Sequence, residues 1–282
     1  MDVTVLTIPY DSGHLESRLG RGPGYLLEQG LHRTIAQSGH DVQVLDVRAT
    51  HPHPPREIST TFSLCQQLAQ SVKTESRRRR FPILLTGNCI SSVAVVAGLG
   101  GANLGILWLD AHGEFNTPET TESGYLDGMG ISVMTGTCWK RLSARIPGYS
   151  AIDPKTIIHV GGRSFDKGEH ERLTDTGVCV IRSADFDTNS LVSAVRDLTK
   201  QVERLYVHVD LDVIDSQEIS LSDFAEPDGL SVEQIRQTIQ CAADQLPIAG
   251  VGVAGFDPSY DTDRTGCQVV VDVLTPILGS SA

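Results

Sequence analysis

Eight short apolar runs rich in β-branched residues recur along the chain: VTVLTI, VQVLDV, FPILLT, LGILWLD, TIIHVGG, VCVIRS, RLYVHVDLDV and AGVGVAGF. Each has the length of a strand and little polar alternation, so each must be covered on both faces. Longer stretches with helical spacing separate several of them, among them TFSLCQQLAQSVKTESRRRR, SLVSAVRDLTKQVER and SVEQIRQTIQCAADQ. Strands alternating with helices predict an α/β fold with a mainly parallel, about eight-stranded sheet. The 282 residues allow one large domain or two small ones. No repeat, low-complexity segment or linker divides them, so a single domain over residues 1–282 is expected.

The formal charge is −12, with no basic surplus to neutralise phosphates, so neither nucleic acid nor an anionic membrane is expected as a partner. The acidic excess favours cationic ligands or metal ions. Cys65, Cys89, Cys138, Cys179, Cys241 and Cys267 are scattered without CxxC spacing, which is no disulfide framework and predicts a reducing, cytoplasmic setting. The segment MDVTVLTIPYDSG shows no basic stretch followed by a long apolar one, so no secretory signal is expected. Val93 to Leu109, the longest apolar stretch, is broken by glycines and predicts a helix end, a turn and a strand, not a membrane span. HPHPP at 51–55 predicts a turn-rich loop, and the run Arg77 to Arg80 a solvated helix end.

In parallel sheets ligands bind beyond the carboxyl ends of the strands. LGILWL runs directly into Asp110-Ala111-His112-Gly113-Glu114, and in extended chain alternate residues share a side, so Asp110, His112 and Glu114 should converge. His208, Asp210 and Asp212 should do so at the end of another strand. So many carboxylates raise one another's pKa unless cations neutralise them, and a pair of divalent ions is the economical solution. The ordinary alternative is that these residues cap strand ends and turns. Thr86-Gly87-Asn88-Cys89, after FPILL, brings a thiol to the same side, as a ligand, a buried inert thiol or a nucleophile.

The segments DAHGEFNTPETTESGYLDG and VHVDLDVID, with PYDSGHLESRLGRGPGYLLEQGL before them and GFDPSYD after, resemble the arginase/agmatinase/formiminoglutamase (ureohydrolase) family over nearly the whole chain. Cys89 and NTPETTESGYL are similar to the branch of that family that hydrolyses N-hydroxyarginine. The resemblance implies a three-layer αβα sandwich and two divalent metal ions, Mn(II), bridged by hydroxide. By motif, Cys89, Asp110, Glu114 and Asp210 would hold one metal, and Asp110, His112, Asp210 and Asp212 the other. The hydroxide would attack a trigonal carbon bearing nitrogen in a guanidino or modified-arginine substrate, with Asp110 or Glu114 relaying the proton to the departing amine. A homo-oligomer is also implied.

Four positions depart from the family pattern. Cys89 stands for a His and Glu114 for an Asp. If all ionise, Cys89, Asp110, Glu114, Asp210 and Asp212 bring five negative charges against four positive, which suits a small cationic or amino-acid-like substrate. Asp127 stands where arginases carry a proton-shuttling His. Gly255 stands where the family has the Glu that grips guanidinium, and Glu226 is expected to take over that role. Asn116 and Ser123 match positions that hold an amino-acid tail, and Tyr125 replaces another. A formimino or linear amide hydrolase, or a non-catalytic metal-binding relative, are the alternatives.

His208 is expected behind the cluster, as a satisfied core or supporting residue. His14, His32, His40, His51, His53, His159 and His170 lack partner spacing and are expected on the surface or in loops. Asp215 is expected to support the ligands or shape a turn, and Gly161-Gly162-Arg163 resembles a phosphate loop only superficially.

Overall fold

The computed structural model describes residues 1–49 and 56–279; the predicted loop at 51–55, with His51 and His53, lies outside the described residues. Asp2–Ile8 (β1) leads into a small hairpin of Tyr10–Asp11 (β2) and His14–Leu15 (β3). Asp41–Asp46 (β4), Phe81–Thr86 (β5), Leu104–Leu109 (β6), Ile157–Val160 (β7), Cys179–Ile181 (β8), Arg204–Asp210 (β9) and Ile248–Ala254 (β10) follow. All but β2 and β3 form one eight-stranded sheet in the order β4-β1-β5-β10-β9-β6-β7-β8. Every pairing in that sheet is parallel.

Each of the eight apolar runs contributes one strand, and β6 is buried along its whole length because helices cover both its faces. On one face Gly22–Glu28, Leu31–Gln37, Thr188–Leu198, Val232–Ala243 and Gly266–Leu278 enclose a core that includes Leu31, Val207, Ile239 and Val270. On the other, Glu57–Arg77 and Ser92–Leu99 cover Leu68, Leu84, Val95, Trp108 and Tyr206. The result is a three-layer αβα sandwich. Among the described residues no helix is long and apolar enough to cross a membrane. All six cysteines are free thiols.

Two sequence expectations need correction. Arg80 is not solvated: its Nη1 donates to Asp41 at 2.7 Å and its Nη2 to the Val3 carbonyl at 2.6 Å, tying the end of the long helix to the sheet edge. His159 is not a surface residue. It is fully buried in β7, where its sheet neighbours cover it, and its Nε2 lies 2.7 Å from the carbonyl oxygen of His112.

The centre of the sheet, β5-β10-β9-β6, positions the polar residues. Cys89 follows β5, Gly255 follows β10, Asp210 ends β9 and Asp110 follows β6.

Candidate metal centre

Asp110 is 1% exposed, and both its carboxylate oxygens are held from within its own segment. Oδ2 accepts from Trp108 Nε1 at 2.9 Å and Oδ1 from the His112 backbone N–H at 2.7 Å. Asp210 Oδ1 accepts the Asp212 backbone N–H at 2.9 Å, and Asp210 Oδ2 accepts from Cys89 Sγ at 2.7 Å. Asp212 Oδ1 accepts from Ala111 N–H at 3.1 Å, while its Oδ2 lies 2.9 Å from His112 Nδ1.

Two groups of ligand-capable atoms result, each within 4.8 Å: Cys89, Asp110, His208 and Asp210, and Asp110, His112 and Asp212. Asp110 belongs to both. Asp110 and His112 share a group, as alternation suggested, but Glu114 and Asp212 are placed by turns instead. Glu114 has a left-handed backbone with φ +53°, and Leu211–Val213 forms a single 3-10 turn that swings Asp212 into place. The turn at Glu114 keeps its carboxylate out of both groups, with Oε2 facing Gly130 N–H at 3.3 Å.

His208 joins the first group, which spacing alone did not assign to it. It is fully buried, stacks on Trp108 with ring centroids 3.9 Å apart, and places Nδ1 2.9 Å from Ser92 Oγ. Its Nε2 has no hydrogen-bond partner among the described residues. Burial pushes His208 down to about 3, so the ring is neutral, as a ligand must be. A serine one helical turn behind the Cys89 motif was the only available signal.

The electrostatics fit cations. Burial, and then Asp212, push Asp110 up to about 6; burial with Asp212 and Asp110 drives Asp210 well above the carboxylate range. Burial with Asp110 and Asp127 does the same to Glu114, and burial with Asp210 to the Cys89 thiol. Burial also pushes Asp127 up to about 7, aided by Asp11 and Asp110 and opposed by donors from Ile90 N–H and Asn88. Against its own burial, His112 is held up to about 12 by Asp212 and Asp110, standing in as the local counter-charge. A buried donor set of carboxylates, imidazoles and a thiol, strained by like charge, is one that divalent ions relieve.

A pH dependence follows. Asp110 and Asp127 keep protons that the unfolded chain, with carboxyls near 4, has already released. Their contribution to stability is whole below about pH 4 and is lost as pH rises through about 6 and 7. His112 acts in the same direction above about 6.5, as do Asp210 and Glu114, both raised by burial and neighbouring carboxylates; Asp212, depressed by His112 despite burial, contributes fully across this window, and the buried neutral His208 and His159 oppose the loss only up to about 6.5. Metal-stripped protein is therefore expected to lose on the order of 5 °C in Tm between about pH 5 and about pH 8, and Mn-loaded protein to stay level. A chelated sample whose Tm rises over this range in scanning calorimetry would contradict the charge assignment.

His112 and Asp212 of one group and Asp210 of the other reach a cleft of about 280 Å³ whose wall includes Asp11, Arg18, Asn116, Ser123, Tyr125, Asp127, Phe224 and Gly255. Asn116 is buried and engaged: Nδ2 donates to Asp166 at 2.9 Å, and Oδ1 accepts from Arg172 and Thr120 at 3.0 Å each. Ser123 and Tyr125 are exposed at the mouth, where Tyr125 meets Phe224 edge-on. Asp127 Oδ1 accepts from Ile90 N–H at 3.0 Å and Oδ2 from Asn88 at 2.7 Å.

Glu226 is not brought to the cleft wall. It is exposed, and its backbone carbonyl accepts from Arg163 Nη2 at 2.9 Å, which fixes its loop facing outward. Arg163 also donates to the carbonyls of Asp212 at 2.7 Å and Pro227 at 2.9 Å, so it ties loops together and leaves no phosphate loop. Asp215 Oδ1 accepts Gln217 N–H at 2.9 Å, a turn role. A larger opening of about 620 Å³, around Arg80 and Arg204, lies at the opposite end of the sheet. Arg204 is spent there on the carbonyls of Leu99 and Gly100, at 3.0 and 2.7 Å, and among the described residues no Cys or His lines the opening.

Residues 1–278 match a family model described as Arginase family. An N(omega)-hydroxy-L-arginine amidinohydrolase from Streptomyces lavendulae is 29% identical over 232 residues, covering 81% of this chain and 79% of that protein. An arginase from Bacillus subtilis is 23% identical over 289 residues, covering 98% and 97%. The solved arginase structure from Bacillus caldovelox has a TM-score of 0.90 at 23% identity, covering 99% of this chain and 98% of that one, and so shares the fold.

Proposed function

The chain belongs to the arginase family, and on that footing we propose a binuclear-metal hydrolase that cleaves a non-peptide C–N bond in a guanidino substrate of modified-arginine type. The enzyme is a hydrolase of C–N bonds in linear amidines. The single observation that carries the finer reading is that Asp110 is common to two adjoining groups of ligand-capable atoms, which reach a cleft through His112, Asp210 and Asp212. Nω-hydroxy-L-arginine is the substrate we favour, since the relative from Streptomyces lavendulae bears that name. The protein would act in the cytoplasm, as one domain over residues 1–282, on a small cationic or amino-acid-like molecule.

Cys89, Asp110, His112, Glu114, Asp210 and Asp212 would hold the two ions, with Mn(II) suited to so many carboxylate oxygens. When bound, the ions supply Lewis acidity and lower the pKa of water towards neutrality, which makes a nucleophile available at working pH. For Glu114 to take part, its side chain must leave Gly130 N–H. Asp110 is pre-oriented by Trp108 and the His112 N–H, so little reorganisation opposes charge at that point. Asp127, held up to about 7, can exchange a proton near neutral pH and faces the cleft. With Asp110 or Glu114 it would hand the proton to the departing amine. Asn116, Ser123 and Tyr125 would receive the amino-acid tail.

The test is hydrolysis by Mn-loaded protein of L-arginine, Nω-hydroxy-L-arginine, agmatine and formiminoglutamate. Ornithine with hydroxyurea from Nω-hydroxy-L-arginine is the expected outcome. Formamide from formiminoglutamate alone would establish the amidine alternative, which Gly255 favours because a carboxylate side chain cannot be accommodated there. No turnover by a fully metallated sample would sink both.

A further inference from the structure

One wall of the cleft is built by residues remote in sequence, Asp11, Asn88 and Asp127. They meet because Gly87 has no side chain: a Cβ there would stand 2.3 Å from the Tyr10 carbonyl oxygen and 2.9 Å from Gly20 N. The turn after β5 can therefore rest directly on the β2 hairpin. Asn88 then joins the two segments. Its Oδ1 accepts Ser12 N–H at 2.8 Å, and its Nδ2 donates to Asp127 Oδ2 at 2.7 Å and to Asp11 Oδ1 at 3.3 Å.

Asp11 is 5% exposed. Its Oδ1 also accepts from Ser12 Oγ at 3.0 Å, but its Oδ2, sealed from solvent, has no hydrogen-bond partner among the described residues. The neighbouring cation is Arg18, whose Nε stands 3.7 Å away, outside hydrogen-bond reach. Arg18 is 40% exposed, donates to Asp223 at 2.9 Å and lies over the Phe224 ring. A buried carboxylate oxygen without a donor is costly in the free protein, and a cationic N–H arriving in the cleft removes that cost. Gly255, also on the wall, leaves no space for a carboxylate of its own, because a Cβ would meet Asp210 Oδ1 at 2.0 Å.

We infer that Asp11, which lines the cleft beside the exposed Arg18 side chain and is braced by Asn88, is a specificity-determining residue that accepts a hydrogen bond from the cationic amidinium or guanidinium end of the substrate once Arg18 swings aside. Asp127 supplies a second carboxylate on the same wall. The inference rests on the reading of the cleft as a guanidino-binding site, but it concerns recognition and not bond cleavage.

Calorimetric titration of Mn-loaded protein with L-arginine and with L-citrulline, its neutral ureido counterpart, tests it. Hydrolysis of arginine registers as continuing heat after the binding pulse, so binding and turnover are read separately. Parent protein should prefer arginine by about tenfold or more, the usual weight of a charge-assisted hydrogen bond. Asp11→Asn should weaken arginine by about tenfold while changing citrulline less than about threefold, with metal content unaltered. Asp11→Ser gives the same comparison should the amide disturb folding. Parent protein without a preference, or an Asp11→Asn variant that weakens both ligands equally, would overturn the inference; the second outcome would mean that Asp11 only holds Arg18. An intact arginine preference with no hydrolysis of any guanidino compound would instead defeat the proposed reaction and leave the recognition role standing.

Discussion

Replacing Gly255 with alanine is expected to reduce metal loading to one ion per chain or fewer and to cut hydrolysis by at least ~100-fold. The backbone there has φ +77°, which an L side chain adopts only with strain, and an added Cβ would lie 2.0 Å from Asp210 Oδ1. Contact at that distance is repulsive, so either the β10 end or the Asp210 carboxylate must move. The β10 end is the harder to shift, because Val253 and Ala254 are paired with Val209 and Asp210 of β9. Asp210 therefore gives way, and with it the group formed by Cys89, Asp110 and His208. Overpacking of this kind costs roughly 1–3 kcal/mol, and the left-handed backbone about 1 more. Elemental analysis, activity and a thermal melt on one preparation check all three effects. A Gly255→Ala protein with full metal content would contradict the geometry of this corner.

Asp210→Asn separates stability from catalysis. The amide is nearly isosteric and its oxygen can still accept the Asp212 N–H, so the turn survives. In metal-free protein at neutral pH the change removes a carboxyl that burial, Asp212 and Asp110 force to take up a proton on folding. The variant is accordingly expected to melt higher than the parent after chelation, by about 1–2 kcal/mol. With metal present the order reverses. A ligand to the ions is gone, and turnover should fall by on the order of 10³ or more, about 4 kcal/mol of transition-state stabilisation. A variant that retains activity would remove Asp210 from the centre. One that melts lower than the parent in the chelated state would show that the carboxylate is adequately solvated or paired without metal.

Much of this architecture is legible in the sequence. The eight apolar runs specify a doubly covered parallel sheet because buried strands need no polar alternation, and all eight become strands. The pairs Asp110/His112 and Asp210/Asp212 stand out because they interrupt apolar runs at strand ends. Their convergence is real: the 3-10 turn over Leu211–Val213 swings Asp212 in, while the left-handed backbone at Glu114 takes that residue out of the ligand groups. His208 looked like core because a buried neutral imidazole and a ligand have the same neighbours in sequence. What sets His208 apart is an Nε2 with no hydrogen-bond partner among the described residues, which only three-dimensional packing reveals.

Glu226 and Asp11 show the other limit. Glu226 is a carboxylate in a conspicuous motif, yet Arg163 fixes its backbone so that the side chain faces outward. Asp11 lies in the opening block PYDSG, in which sequence reasoning assigned no site residue. It follows β1, next to β5 in the sheet, and the rule that parallel strands gather ligands at their carboxyl ends applies to it as well as to Cys89. Strand order was the missing information, and the sequence of elements along the chain does not specify it.

The central claim is that two sets of strand-end ligands, joined through Asp110, constitute one binuclear centre. Elemental analysis of protein purified with added Mn(II) tests it most directly. The account predicts about two metal ions per chain for the parent and a lower number for Cys89→Ala. A fully folded parent that retains no stoichiometric metal, or whose metal content is indifferent to both Cys89→Ala and Asp210→Asn, would contradict it.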